Sequence, residues 1–171
     1  GNAILGALLK KERTGKSSHL DISLWDCAIA SLANQGQNQI VSGENPGLLG
    51  SAHPNLVPYQ AFQALDGWLV IAVGSDNQFA KLSSRLKFEN TWPTNQDRVD
   101  SRKEVVDLVQ SKVSKMTRNE IIQLLEGIPC SPINKISEAL ADPQSLARGV
   151  ISDWNGHEVL ASPLRFISER E

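Results

Sequence analysis

The sequence predicts a mixed α/β protein, with a fragment of an α/β sheet at the front and an α+β module in the middle. Three observations carry this. Residues 1–39 read as helix, strand and helix. Residues 42–57 are rich in glycine and proline. Residues 58–149 hold a β-hairpin and four helices, and a short hairpin returns within residues 150–171.

The opening helix, residues 1–12, runs through Ala3, Ile4, Leu5, Ala7, Leu8 and Leu9 and ends on Lys10 and Lys11. These cations suit the negative pole of a helix dipole, and Gly15 supplies a terminator. No capping residue precedes this apolar start, so the sequence reads as cut at both ends. His19-Leu-Asp-Ile-Ser-Leu24 alternates, which predicts a strand with Leu20, Ile22 and Leu24 on one side. Residues 26–39 then read as a helix. From Ser42 to Pro58 the chain holds three Gly and three Pro, and Asn45-Pro46 and His53-Pro54 steer it away from helix. A loop of that length marks a functional segment or a join between domains.

Residues 59–64 and 68–73 form a hairpin around Leu65-Asp66-Gly67, with Asp66-Gly67 supplying the positive φ of a tight turn. Ser75 or Asp76 caps a helix that buries Phe79, Leu82 and Leu86. A helix between Arg98 and Met116 places Val105, Val109, Val113 and Met116 on one face. Thr117-Arg-Asn-Glu120 is a capping box that starts the next helix, which ends at Gly127. Pro129 and Pro132 keep residues 128–134 extended and away from a central strand position. A last helix covers residues 135–147. Trp154-Asn155-Gly156-His157 turns between two short strands, and Pro163-Leu-Arg-Phe-Ile167 is strand-like.

Composition narrows the function classes. The 171 residues carry 17 Lys and Arg against 19 Asp and Glu, a formal charge of -2. Scattered basic residues give no footprint for a nucleic-acid backbone. No apolar run approaches the roughly 20 residues that cross a bilayer. Neither nucleic acid nor membrane is therefore an expected partner. Cys27 and Cys130 lie far apart with no CxxC motif and no His nearby, which points to reduced thiols in an intracellular compartment.

No self-contained catalytic set emerges from the residues. His19 begins a strand and His157 sits in a turn, and neither has a neighbouring nucleophile. His53 lies in the glycine-rich loop, where a side chain can meet a ligand. Cys130 follows Pro129 with no base or cation beside it, which suits a small buried thiol. Asp97, Asp100, Glu104 and Asp107 belong to charged helix surfaces, and metal-ligand spacing is absent. Lys10, Lys11, Arg13 and Lys16 cluster at a helix C-terminus, where dipole compensation explains them. Gly43, Gly47 and Gly50 neither follow a strand nor open a helix, so they make no phosphate loop.

The run Ala3-Ile-Leu-Gly-Ala-Leu-Leu9, with Glu12-Arg-Thr-Gly-Lys16 and Leu20-Asp-Ile-Ser-Leu24, resembles the family III CoA-transferases. Further stretches follow in order: His53-Pro-Asn55, Val57-Pro-Tyr-Gln-Ala-Phe62, Asp66-Gly-Trp-Leu-Val-Ile-Ala-Val-Gly74 with Gln78-Phe79, and Thr94-Asn95 with Arg98-Val99 and Arg102. Gly127-Ile-Pro-Cys-Ser-Pro-Ile-Asn134, Ala141-Asp-Pro-Gln144 and Ala147-Arg-Gly149 complete them. The loop and hairpin motifs are most similar to the succinyl-CoA:glutarate branch. Ser17 and Ser131 stand where the family pattern has glycine, and residues 88–93 lack its Asp-Pro-Arg-Phe.

The resemblance implies an interlocked homodimer, each chain having a Rossmann-like large domain and an α+β small domain. Residues 1–41 would be a fragment of the large domain, 42–57 the glycine-rich linker, 58–149 the small domain, and 150–171 strands returning to the large domain. It implies CoA transfer from an acyl-CoA to a carboxylic acid through an aspartyl anhydride and an enzyme thioester. No metal or organic cofactor is implied, the CoA thioester being substrate. The family's nucleophilic aspartate would lie upstream of Gly1, so no catalytic residue is assigned here, and the chain by itself is expected to be inactive. Asp21 and Asp26 fall in the strand and the following helix and do not replace it. What remains is the loop that covers the intermediate, with Gly47, Gly50 and His53 as its residues. A related acyl-CoA racemase and a non-catalytic dimerisation or binding module are the alternatives. The implied location is the cytoplasm or the mitochondrial matrix.

Overall fold

The computed structural model describes residues 1–164. They form two compact units that divide between Leu48 and Leu49, inside the glycine- and proline-rich segment.

The first unit is helical throughout its regular elements: α1 (Asn2–Thr14), α2 (Leu24–Ala30) and α3 (Ala33–Ser42). Helix α1 stops at Gly15, whose φ of 70° lets its N–H donate to the Lys11 carbonyl at 2.7 Å. The strand expected at residues 19–24 does not form. Residues 16–23 have no regular structure, and Ser23 caps α2 by accepting the Asp26 N–H at 3.3 Å. Alternation assigns side chains to faces, but a strand exists only when a neighbour takes its backbone groups, and no segment of this unit pairs with residues 19–24. The single helix expected over residues 26–39 is two. The Leu32 N–H tightens onto Ile29 three residues back, and Ala33 then takes a φ of 49°. None of the residues in these three helices is buried.

The second unit is built on an antiparallel sheet of β1 (Tyr59–Ala64), β2 (Gly67–Ala72) and β3 (Cys130–Pro132), in the order β1-β2-β3. Ala64 pairs with Gly67 and Phe62 with Leu69. The turn is therefore Leu65-Asp66, one residue earlier than the Asp66-Gly67 pair expected, and Gly67 opens β2 with a φ of 151°. The reason is tertiary, since Asp66 Oδ1 is held by the Arg118 N–H at 2.7 Å. Strand β3 is an edge strand, the position that tolerates Pro132.

Helices α4 (Asp76–Leu86), α5 (Asn95–Asp100), α6 (Arg102–Val113) and α7 (Arg118–Leu124) complete the core. Phe62, Leu69 and Ile71 from the sheet meet Phe79 and Leu82 from α4, Val105, Val109 and Val113 from α6, and Ile121 from α7, each at most 1% exposed. Burying each such side chain contributes about 1.5–3 kcal/mol, so these few contacts dominate the unit's stability. Ser75 caps α4 and the Thr117–Glu120 box caps α7, both as the sequence predicts.

Two helices expected to be continuous are broken. Ser101 separates α5 from α6, and α5 has its own capping box: Thr94 Oγ1 accepts the Asp97 N–H at 3.2 Å while Asp97 Oδ2 accepts the Thr94 N–H at 3.0 Å. Residues 135–147 divide into α8 (Ile136–Ala141) and α9 (Pro143–Arg148). Asp142 is extended and caps α9, and Pro143 has no N–H to continue α8. Strands β4 (Ile151–Trp154) and β5 (His157–Leu160) follow, turning through Asn155 and Gly156 at φ 54° and 81°. The strand expected over residues 163–167 runs outside the described residues, as does the end of the returning segment expected over 150–171.

Candidate functional site

Gly50 and His53 lie in the loop that leads into β1, and Gly47 belongs to the end of the first unit. Gly50 needs its glycine for a φ of 59°, in a turn where the Ala52 N–H donates to the Leu49 carbonyl at 3.0 Å. Gly47 shows no such need: a Cβ there would meet nothing within 4 Å.

His53 is half-buried. Its ring stacks on Tyr59, with centroids 5.2 Å apart, and its backbone N–H donates to the Tyr59 carbonyl at 2.8 Å. Nδ1 accepts the Asn55 N–H at 3.1 Å, which leaves the proton of the neutral ring on Nε2. In this tautomer the imidazole can offer one N–H donor.

Three side chains from α5 and α6 hold the loop. Arg102 donates from Nη1 to the His53 carbonyl at 3.1 Å and from Nη2 to the Pro54 carbonyl at 2.6 Å. Asn95 donates to the Asn55 carbonyl at 2.8 Å and accepts the Val57 N–H at 3.3 Å. Arg98, 1% exposed, donates from Nε to the Val57 carbonyl at 2.8 Å. Its other donors reach the Trp92 carbonyl and Asp76, and the guanidinium stands 4.5 Å over the Phe79 ring. The Val57–Pro58 peptide bond is cis, and the Pro58 carbonyl accepts the Val73 N–H at 2.9 Å, joining the loop to the hairpin. Residue-by-residue reading missed the roles of Asn95, Arg98 and Arg102. Their motif was visible, but its contacts span 38 to 49 residues.

Electrostatics elsewhere in the unit secure its frame. A cleft of about 400 Å³ runs between the hairpin turn and α8. Arg118 stands in it, 3.4 Å from Glu138 and 3.6 Å from Asp66. The latter distance is an ion pair without a hydrogen bond, and Arg118 Nε is buried with no hydrogen-bond partner. The Arg118 backbone N–H holds the Asp66 carboxyl below its usual range, and the Thr94 hydroxyl does the same for Asp97. Burial pushes the Cys130 thiol up to about 11, so it stays protonated and unreactive; Cys27 is exposed, and both cysteines are free. His19 and His157 are exposed and lie outside the loop. Among the described residues, no group of three or more His, Cys, Asp or Glu could hold a metal, and no helix is long and apolar enough to cross a membrane.

A family model described as CoA-transferase family III matches residues 1–170. The succinate–glutarate CoA-transferase of Agrobacterium fabrum is 36% identical over 169 residues, which are 95% of this chain and 42% of that protein. The mouse succinyl-CoA:glutarate CoA-transferase is 32% identical over 160 residues, 90% of this chain and 37% of that one. The crystal structure of a CaiB/BaiF family protein from Brucella suis superposes with a TM-score of 0.76 at 38% identity. It covers 98% of this chain and 46% of its own, and shares the mixed α/β fold. The chain thus spans less than half the length of these relatives.

Proposed function

The chain belongs to CoA-transferase family III, and from that premise we propose that it is part of an enzyme that moves CoA from an acyl-CoA to a carboxylic acid. The acids are short dicarboxylates of the succinate and glutarate class. The names of the relatives at 36% and 32% identity support that choice.

In this reading an aspartate outside residues 1–171 attacks the thioester, and the acyl group passes to its carboxylate as a mixed anhydride while CoA leaves as thiolate. The thiolate then takes the aspartyl carbonyl, which frees the first acid and leaves an enzyme thioester. The carboxylate of the second acid attacks that thioester and expels CoA as thiolate, forming a second mixed anhydride, and the thiolate then attacks the new acyl carbonyl, which gives the product acyl-CoA and frees the aspartate. Each intermediate is open to hydrolysis, so a cover that excludes water is required. The loop with Gly47, Gly50 and His53 is that cover, and His53 Nε2–H is the donor it turns to the reacting carboxylates. The whole protein is a homodimer of interlocked chains, and the exposed apolar residues of α1, Ile4, Leu5, Leu8 and Leu9, are covered there.

The observation that carries this reading is the loop held at His53, Pro54, Asn55 and Val57 by Arg102, Asn95 and Arg98. A loop with a covering task must close in one conformation, and a set of side-chain bonds to its carbonyls provides that. Supplying succinyl-CoA and glutarate to the longest natural form of the protein tests it. Glutaryl-CoA is expected, with little from a monocarboxylate of equal length, and none from residues 1–171 alone. Equal use of the monocarboxylate would overturn the substrate class, and absence of any transfer would overturn the reaction.

A further inference from the structure

A second recess lies at the other end of α6 from the loop. It measures about 330 Å³ and opens where α4, α6 and α7 end. Arg85, Lys87, Lys112 and Lys115 line it, with no carboxylate among its lining residues. Leu86, Met116 and Leu124 complete it, Leu86 buried and the other two half-buried. Lys112 stands ten residues beyond Arg102, roughly 15 Å along the helix axis, so this recess is separate from the loop.

Cations gather at helix C-termini for dipole reasons, and that accounts for the type of residue here. It does not account for the charge. Three helix ends supply roughly half a negative charge each, against four full positive charges. Among the described residues, none of the four cations is in an ion pair. Two are already pinned. Arg85 donates to the Leu124 carbonyl at 2.5 Å and Lys112 to the Lys87 carbonyl at 3.3 Å. Each bond uses one donor and leaves the rest, four on the guanidinium and two on the ammonium, for a ligand.

We propose that this recess binds a diphosphate group through Arg85, Lys87, Lys112 and Lys115. Charge selects the class, because a monocarboxylate would leave most of the excess uncompensated, whereas a diphosphate offers two to three negative charges and a fan of acceptor oxygens. The volume, at the small end of ligand sites, fits such a group, and the apolar residues can take a base or ribose attached to it. The source of the diphosphate is inorganic or a nucleoside diphosphate. This site is independent of the CoA-transfer reading.

Titration of the protein with inorganic diphosphate and with ADP, followed by calorimetry, tests the proposal. Saturable binding is expected that weakens between about 50 and about 200 mM salt. K115E combined with Lys112→Gln should lose about tenfold or more in affinity. Lys81→Glu, an exposed change on α4 outside the recess, should lose little. Tighter binding of ADP would assign the apolar residues to the nucleoside, and equal binding would assign the site to the diphosphate alone. Lys115→Gln is the milder variant, exposed and safe for folding, and should lose affinity in the same direction. No saturable binding of either probe, an unchanged affinity in the double variant, or tighter binding of a poly-glutamate peptide would each overturn the proposal.

Discussion

Arg102 grips His53 by its backbone: Nη1 donates to the His53 carbonyl at 3.1 Å while Nη2 donates to the next carbonyl, Pro54, at 2.6 Å. A fork of two parallel donors fits two successive carbonyls, and a lysine in its place could supply only a point charge. The grip fixes where the imidazole sits without using the imidazole itself, which remains stacked on Tyr59. Arg102→Ala should therefore leave global stability nearly intact and open the loop. Hydrogen exchange at the His53 amide, bonded to Tyr59 at 2.8 Å, is the measurement. About tenfold or faster exchange there, with core amides unchanged, is the expected outcome.

Arg98 does a different task from the preceding helix, α5. It is 1% exposed, and removing it would strand the buried Val57 carbonyl and vacate space beside Phe79. Arg98→Ala should cost about 3 kcal/mol or more, visible as a lower urea midpoint at unchanged slope. Arg98→Lys should recover little, because one ammonium cannot reach Val57, Trp92 and Asp76 together.

Gly67 and Gly6 should respond in opposite directions to alanine. Gly67 has a φ of 151°, and a Cβ would meet Arg118 Nε at 3.2 Å, so Gly67→Ala should destabilise by about 1–3 kcal/mol. At Gly6, inside α1, a Cβ meets nothing within 4 Å, and Gly6→Ala should stabilise that helix by about 0.5–1 kcal/mol. Thermal unfolding of the two variants separates the effects.

These elements show what could be read from sequence. The Thr117–Glu120 box and the Asn155-Gly156 turn were legible because both are local, their bonds closing within three residues. The break at Asp142-Pro143 was written in an Asp-Pro pair that caps one helix and bars another, and amphipathic spacing obscured it. Residues 19–24 alternate like a strand, but pairing depends on a neighbour that spacing cannot supply. The turn at Leu65-Asp66 was displaced by Arg118, 52 residues away. The loop's supports follow the same rule: His53 could be picked out as a loop residue, but Arg102 could be joined to it only in three dimensions.

Stability should fall in acid. Asp66, Asp97, Glu120 and Glu138 are all held below their ordinary values of 3.8 for Asp and 4.5 for Glu by hydrogen bonds, chiefly from Arg118, Thr94, Thr117 and Lys135 respectively. A carboxyl with a lowered folded pKa contributes stability above its unfolded pKa and loses it as pH falls through the folded value. The urea midpoint should be flat with respect to these groups near neutrality and decline from about pH 4.5 downward. Glu120→Gln should flatten part of that decline; an unchanged acid slope would contradict the assignment.

The thiols should also differ. With Cys130 pushed up to about 11, about one thiol in a thousand is ionised at pH 8. Iodoacetamide should label exposed Cys27 first and reach Cys130 only on unfolding in urea. Simultaneous labelling in the folded protein, read by intact mass, would contradict the half-buried placement of Cys130.

The central claim is that the loop held by Arg102 covers reactive acyl intermediates during CoA transfer. The most direct measurement is the ratio of hydrolysis to transfer in the longest natural form of the protein, with succinyl-CoA and glutarate, for the parent and for Arg102→Ala. The account predicts that glutaryl-CoA formation falls while succinyl-CoA hydrolysis rises, so that the ratio shifts about tenfold or more toward water. A proportional loss of both reactions, or an unchanged ratio, would show that the loop does not exclude water and would contradict the claim.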